Sequence, residues 1–168
     1  IFFFLFFFIF EVIVVVEDRM LSYSTFLAFL YPELLIQSQS LIAEGVNELH
    51  RLVRMRARPK ILLARSYEEG EALCVKYHDN LLTLITDLRF PKDGVESPTA
   101  GLDLVRRVRS INSGVPILML TSETAAAADA EPLGVRIVDK RSASFIATVR
   151  HYLTDSLGFG DFIFKTKD

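Results

Sequence analysis

Apolar residues in this chain gather in short runs set at wide intervals, and the segments between the runs change period. FEVIVVV (10–16), KILLA (60–64), LLTLIT (81–86), PILMLT (116–121) and GVRIVD (134–139) are rich in leucine and β-branched residues. They read as strands apolar on both faces. Three other stretches carry helical spacing. SYEEGEALCVKYH carries the apolar residues Ala72, Leu73, Val75 and Tyr77, and GLDLVRRVRSI sets Leu102, Val105 and Val108 opposite its arginines. RSASFIATVRHYLTDSL turns Phe145, Ile146, Val149 and Leu153 inward. Such alternation predicts an α/β fold with a parallel sheet covered on both faces by right-handed crossovers. Five such units in 168 residues predict a doubly wound five-stranded sheet of order 2-1-3-4-5.

That order fixes where chemistry belongs. Ligands bind outside the carboxyl ends of the strands where the winding reverses, between the first and third strands. The first run ends in Glu17 and Asp18, and the third ends at Asp87. Singly, each acid has a plain explanation: Asp18 caps a helix, or Asp87 opens a solvated loop. Three acids on the two strands flanking one crevice are harder to explain that way. The fourth run adds the hydroxyls of Thr121 and Ser122, and the fifth ends in Asp139 and Lys140. Taken alone, Ser122 reads as a helix cap and Lys140 as a solvated charge. Taken together, they complete a cluster of carboxylates, hydroxyl and ammonium.

Charge and composition narrow the chemistry. A net charge of -2 gives no general attraction to nucleic acid or anionic membrane. The single cysteine, Cys74, lies among helix-type residues and reads as a buried thiol in a reducing, cytoplasmic setting. His50, His78 and His151 are scattered, so no zinc set is present. Converging carboxylates with oxygen ligands alone favour a hard ion such as Mg²⁺. A carboxylate beside Mg²⁺ is a nucleophile for a phosphoryl group, a transfer that needs positioning and charge neutralisation more than a general base. The start is unusual: IFFFLFFFIF holds half of the 14 phenylalanines. It is short for a membrane helix, which needs about 20 residues, and has no basic region or cleavage site. Residues 1–9 are read as an apolar leader, and the initial Ile as the mark of a fragment or processed chain.

VVVED, TDLRFPKDG, PILMLTS and VDK together resemble the receiver domain of two-component response regulators, a flavodoxin-like fold, over residues 10–157. The resemblance implies that Glu17 and Asp18 hold Mg²⁺ with the backbone carbonyl of Arg89. It implies that Asp87 is both a metal ligand and the acceptor of phosphate from a histidine kinase or phosphotransfer protein. Thr121 would then bind the phosphoryl group and Lys140 pair with it. Pro91 falls where the family has it. Four features depart from the family pattern: Arg141 stands where proline usually follows the lysine, and Ile137 replaces the aromatic switch residue. Ser122 is larger than the usual residue, and VESPTA is inserted after the acceptor loop. The phosphorylation residues are thus complete, whereas the hydroxyl-aromatic relay is not.

Residues 19–59 are longer than a crossover requires. Pro32 suits a helix start, and Ile42, Val46, Leu49 and Val53 follow at helical spacing. A helix over 33–56 would be about 35 Å long against strands of roughly 20 Å. It either folds back on the domain or overhangs as a homodimer surface, which is the expectation adopted. Its basic end, HRLVRMRARPK, suits a helix C-terminus; without aromatic interleaving it does not suggest nucleic-acid binding. Residues 158–168 alternate Phe162 and Phe164 like a tail or extra strand. This tail and the segment around residues 41–64 also bear a looser resemblance to receiver segments joined to phosphoenolpyruvate-synthase-like chains. Three functions remain open: a phosphoacceptor module that is not a stand-alone enzyme, a pseudo-receiver serving only protein interaction, and a Mg²⁺-dependent phosphohydrolase. The last is weakest, because Arg89, two residues past Asp87, cannot donate a proton at neutral pH.

Overall fold

The computed structural model describes residues 11–43 and 59–157. Five strands form one parallel sheet: β1 (Val12–Val16), β2 (Lys60–Ala64), β3 (Leu81–Thr86), β6 (Ile117–Thr121) and β7 (Val135–Asp139). Their spatial order is β2-β1-β3-β6-β7, which is the predicted 2-1-3-4-5 winding. A separate antiparallel hairpin, β4 (Phe90–Lys92) and β5 (Val95–Ser97), stands beside the sheet. The helices are α1 (Met20–Ala43), α2 (Tyr67–Lys76), α3 (Ala100–Ile111), the short α4 (Thr124–Ala127) and α5 (Phe145–Ser156).

Every residue of β1 is buried, as expected for a strand covered on both faces. Its alternate side chains feed two cores. Val12, Val14 and Val16 join Cys74, Leu104, Val105 and Val108 on the α2/α3 side. Ile13 and Val15 join Phe26, Leu30, Val149 and Leu153 on the α1/α5 side.

Several expectations need correction. The long helix does not begin after Pro32; it begins at Met20 and runs through that proline. An interior proline costs roughly 3 kcal/mol. Here burial of Phe26 and Leu30 before it and of Leu34 after it offsets that cost, and the buried Glu33 is met by Arg150 at 2.9 Å. Of the 33–56 span, residues 44–56 lie outside the described residues, as do the leader 1–9 and the tail 158–168. In α2 Gly70 and Cys74 are buried, and Leu73 and, at the helix end, Tyr77 pack against the same core as expected, whereas Val75 is exposed. In α5 Ile146 faces solvent, and Tyr152 is buried in its place. The inserted VESPTA supplies β5 and the entry to α3. Asp93 and Gly94, with φ of 54° and 76°, make the tight hairpin turn, whose two left-handed positions suit an Asp-Gly pair.

Candidate functional site

Each site residue lies just beyond a strand, or at its end, and the sheet ladder holds its backbone. Glu17 N–H donates to the Ala64 carbonyl at the end of β2, 3.1 Å away. Asp87 N–H donates to the Val16 carbonyl of β1 at 3.0 Å, and Lys140 N–H to the Thr121 carbonyl of β6 at 3.0 Å. Parallel pairing therefore delivers these residues to one edge in fixed register.

There the side chains meet. Lys140 Nζ donates to Glu17 Oε2 at 2.5 Å and to Asp87 Oδ2 at 2.7 Å. All three are largely withdrawn from water, with side-chain exposures of 20% for the lysine, 8% for Glu17 and 12% for Asp87. The second oxygens are held by backbone: Glu17 Oε1 accepts from Arg19 N–H and Asp87 Oδ1 from Leu88 N–H. Asp18 differs. Its Oδ1 is buried and has no hydrogen-bond partner, an expensive state for a carboxylate oxygen unless something else meets it. Among the described residues no group of three or more His, Cys, Asp or Glu side chains is gathered to hold a metal. The expected carboxylate cluster is thus opened by Lys140, whose ammonium sits between two of its members.

Thr121 is buried, and its oxygen accepts from Glu123 N–H at 3.0 Å, which leaves its hydroxyl hydrogen available to donate. Ser122 does not cap the next helix; Glu123 holds the cap position without a side-chain bond. The departures from the receiver pattern have visible consequences. Arg141 N–H donates to Asp139 Oδ1, a bond that proline could not make, and its guanidinium donates to the Ser122 carbonyl. Ile137 packs against the α2/α3 core. The Arg89 side chain reaches Glu123 at 3.0 Å, joining the loop after β3 to the loop after β6.

Gly101 is a contributor that sequence reasoning passed over. A Cβ on it would lie 2.2 Å from the Asp87 carbonyl oxygen and 2.9 Å from Leu88 Cα. Gly101 N–H donates to the Leu88 carbonyl. Only glycine lets the first turn of α3 rest on the Asp87–Leu88 loop. A glycine at the head of the helix after Asp87 was the one available signal, and a lone glycine is weak.

No family model matches the sequence, nor does any curated protein. Solved structures do match. A response regulator receiver domain protein from Clostridium thermocellum superposes with a TM-score of 0.63 at 16% identity, covering 88% of this chain and 94% of that one. A CheY-like receiver domain protein from Methanospirillum hungatei JF-1 gives 0.51 at 12%, again covering 88% and 94%. The chain therefore has the fold of response-regulator receiver domains. No helix among the described residues is long and apolar enough to cross a membrane.

Proposed function

We propose that this domain is a phosphoacceptor receiver. In this reading, Asp87 takes a phosphoryl group from a histidine kinase or phosphotransfer protein when Mg²⁺ is bound. One observation carries it: Glu17, Asp87 and Lys140, at the ends of β1, β3 and β7, interlock next in sequence to the buried, unpartnered Oδ1 of Asp18. The donors are all oxygen, which fits a hard cation. Asp18 would be the first ligand, joined by Glu17, Asp87 and the backbone carbonyl of Arg89. Bound there, Mg²⁺ would supply the positive charge that offsets the carboxylates and the incoming phosphoryl oxygens.

The chain's own groups do the rest. An Asp87 oxygen forms the new bond to phosphorus as the donor's P–N bond breaks and its electron pair leaves with the imidazole. Lys140 releases the carboxylates and pairs with a phosphoryl oxygen, while the Thr121 hydroxyl donates to another. Arg89 stands two residues past Asp87, where a phosphohydrolase using this nucleophile would need a general acid, and a guanidinium cannot donate a proton at neutral pH; we therefore read the module as one that holds phosphate.

Intact-mass measurement after acetyl phosphate and Mg²⁺ tests the assignment. One hydroxylamine-labile phosphoryl group is expected, lost in Asp87→Asn and kept in Asp103→Asn. Labelled Asp87→Asn would overturn it. An unlabelled wild type would favour a pseudo-receiver serving only protein interaction. The observations on that side are the Arg141 tie to the Ser122 carbonyl and the apolar Ile137. We also infer that α1 mediates a homodimer, because Tyr31, Leu35 and Ile36 expose apolar surface on it.

A further inference from the structure

Beside the interlocked acids lies a hollow whose apolar part phosphoryl transfer does not use. It measures about 300 Å³ and opens between α1 and α5 at the carboxyl edge of the sheet. Val15, Ile85 and Leu120 form its floor, and Phe26 and Phe145 form one wall, their rings edge-on with centroids 6.4 Å apart. Glu17, Asp87 and Lys140 line its polar end, whereas Thr121 is not part of it. A mostly apolar recess with a few convergent polar groups is the form that small-ligand sites take. An apolar cavity of about 150 Å³ already holds benzene, so this one has room for a ring with a short side chain.

The polar end selects the charge of the occupant. It holds two carboxylates and one ammonium, an excess of one negative charge. An anionic head would face both acids. An ammonium has three donors, and Lys140 already demonstrates how such a group sits against Glu17 Oε2 and Asp87 Oδ2. We propose that the hollow binds a small aryl-alkyl amine, its ring on the Val15–Ile85–Leu120 floor and its ammonium on the carboxylates of Glu17 and Asp87. This goes beyond the phosphoacceptor reading: it shares Glu17, Asp87 and Lys140 with that site, but needs only the cavity and the two acids and neither metal nor phosphate.

The test titrates the full chain, without divalent metal, with 2-phenylethylamine, the neutral 2-phenylethanol and the anionic 3-phenylpropionate, followed by NMR. Saturable shifts at Ile85, Phe26 and Phe145 are expected with the amine. Its affinity should exceed that of the alcohol by about tenfold, the worth of one charge-assisted bond, with no binding of the carboxylate. Phe145→Trp should fill the hollow and abolish the shifts. If that variant does not fold, Ser22→Phe fills the recess from a half-buried position on α1. Equal responses to all three probes, no response to any, or amine binding that survives a folded filled variant would overturn the proposal.

Discussion

Lys140 is bound to two carboxylates that are themselves nearly buried, so its removal strands both. Breaking a buried charge pair typically costs 3–5 kcal/mol. Because the lysine retains some exposure, Lys140→Met is expected to lose about 3 kcal/mol in metal-free buffer, read by urea denaturation. Mg²⁺ should recover part of the loss if the acids form its site. A second residue reports through pH. Tyr152 donates its hydroxyl to Thr83, which itself donates to the Pro116 carbonyl. Burial pushes the phenol from 10.0 up to about 12. A raised pKa means that the neutral form is favoured by folding, so this stability is complete below pH 10 and is lost as pH rises towards 12. Burial likewise pushes the Cys74 thiol up to about 12. Tyr152→Phe should cost about 1 kcal/mol at pH 7. It should also remove up to about 1.4 kcal/mol per pH unit from the alkaline decline above pH 10. An unchanged slope would contradict the assignment. The acids and Lys140 were legible in the sequence because strand ends are easy to locate in buried runs. The unpartnered oxygen of Asp18 and the Arg89–Glu123 bridge were not, since both depend on how loops from separate strands converge.

Among the elements, α3 is coupled to the loop after β3 through Gly101. Gly101→Ala places a methyl against backbone that cannot rotate away. The expected cost is about 2–3 kcal/mol, together with NMR shift changes at Asp87 and Leu88. A change confined to α3 would show that the contact yields without moving the Asp87–Leu88 loop. The five sheet strands were readable from continuous apolar runs, and the apolar face of α3 from its helical period. The course of α1 was not: Pro32 is a local stop signal, and packing of Phe26, Leu30 and Leu34 against α5 and the sheet outweighs it. The hairpin was missed although Lys92-Asp93-Gly94-Val95 carries a strong turn signal, because the residues around it were weighed as an insertion. Ile146 was misassigned because its neighbour Phe145 already fills the inward position at the start of α5.

For the whole molecule, the sheet divides the interior into two cores that share β1, and the exposed side of α1 is left over. Leu35→Glu with Ile36→Glu should convert a light-scattering dimer into a folded monomer. Wild type that stays monomeric at high micromolar concentration would end that idea. The sheet order has a further effect through the chain separations it imposes. Lys140 bonds residues 53 and 123 positions away, while β6 and β7 pair across a short connection. Closing long loops costs entropy before contacts repay it. The lysine clasp is therefore expected to form after the folding barrier, acting as a latch on unfolding. In stopped-flow chevrons Lys140→Met should leave the refolding arm in place and speed unfolding by about a hundredfold for a loss of about 3 kcal/mol. A slowed refolding arm would mean that the clasp guides folding instead. If the latch view holds, the lifetime of the folded domain is set at the same ammonium that, in the proposed phosphoacceptor role, would let go of the acids for phosphate to enter.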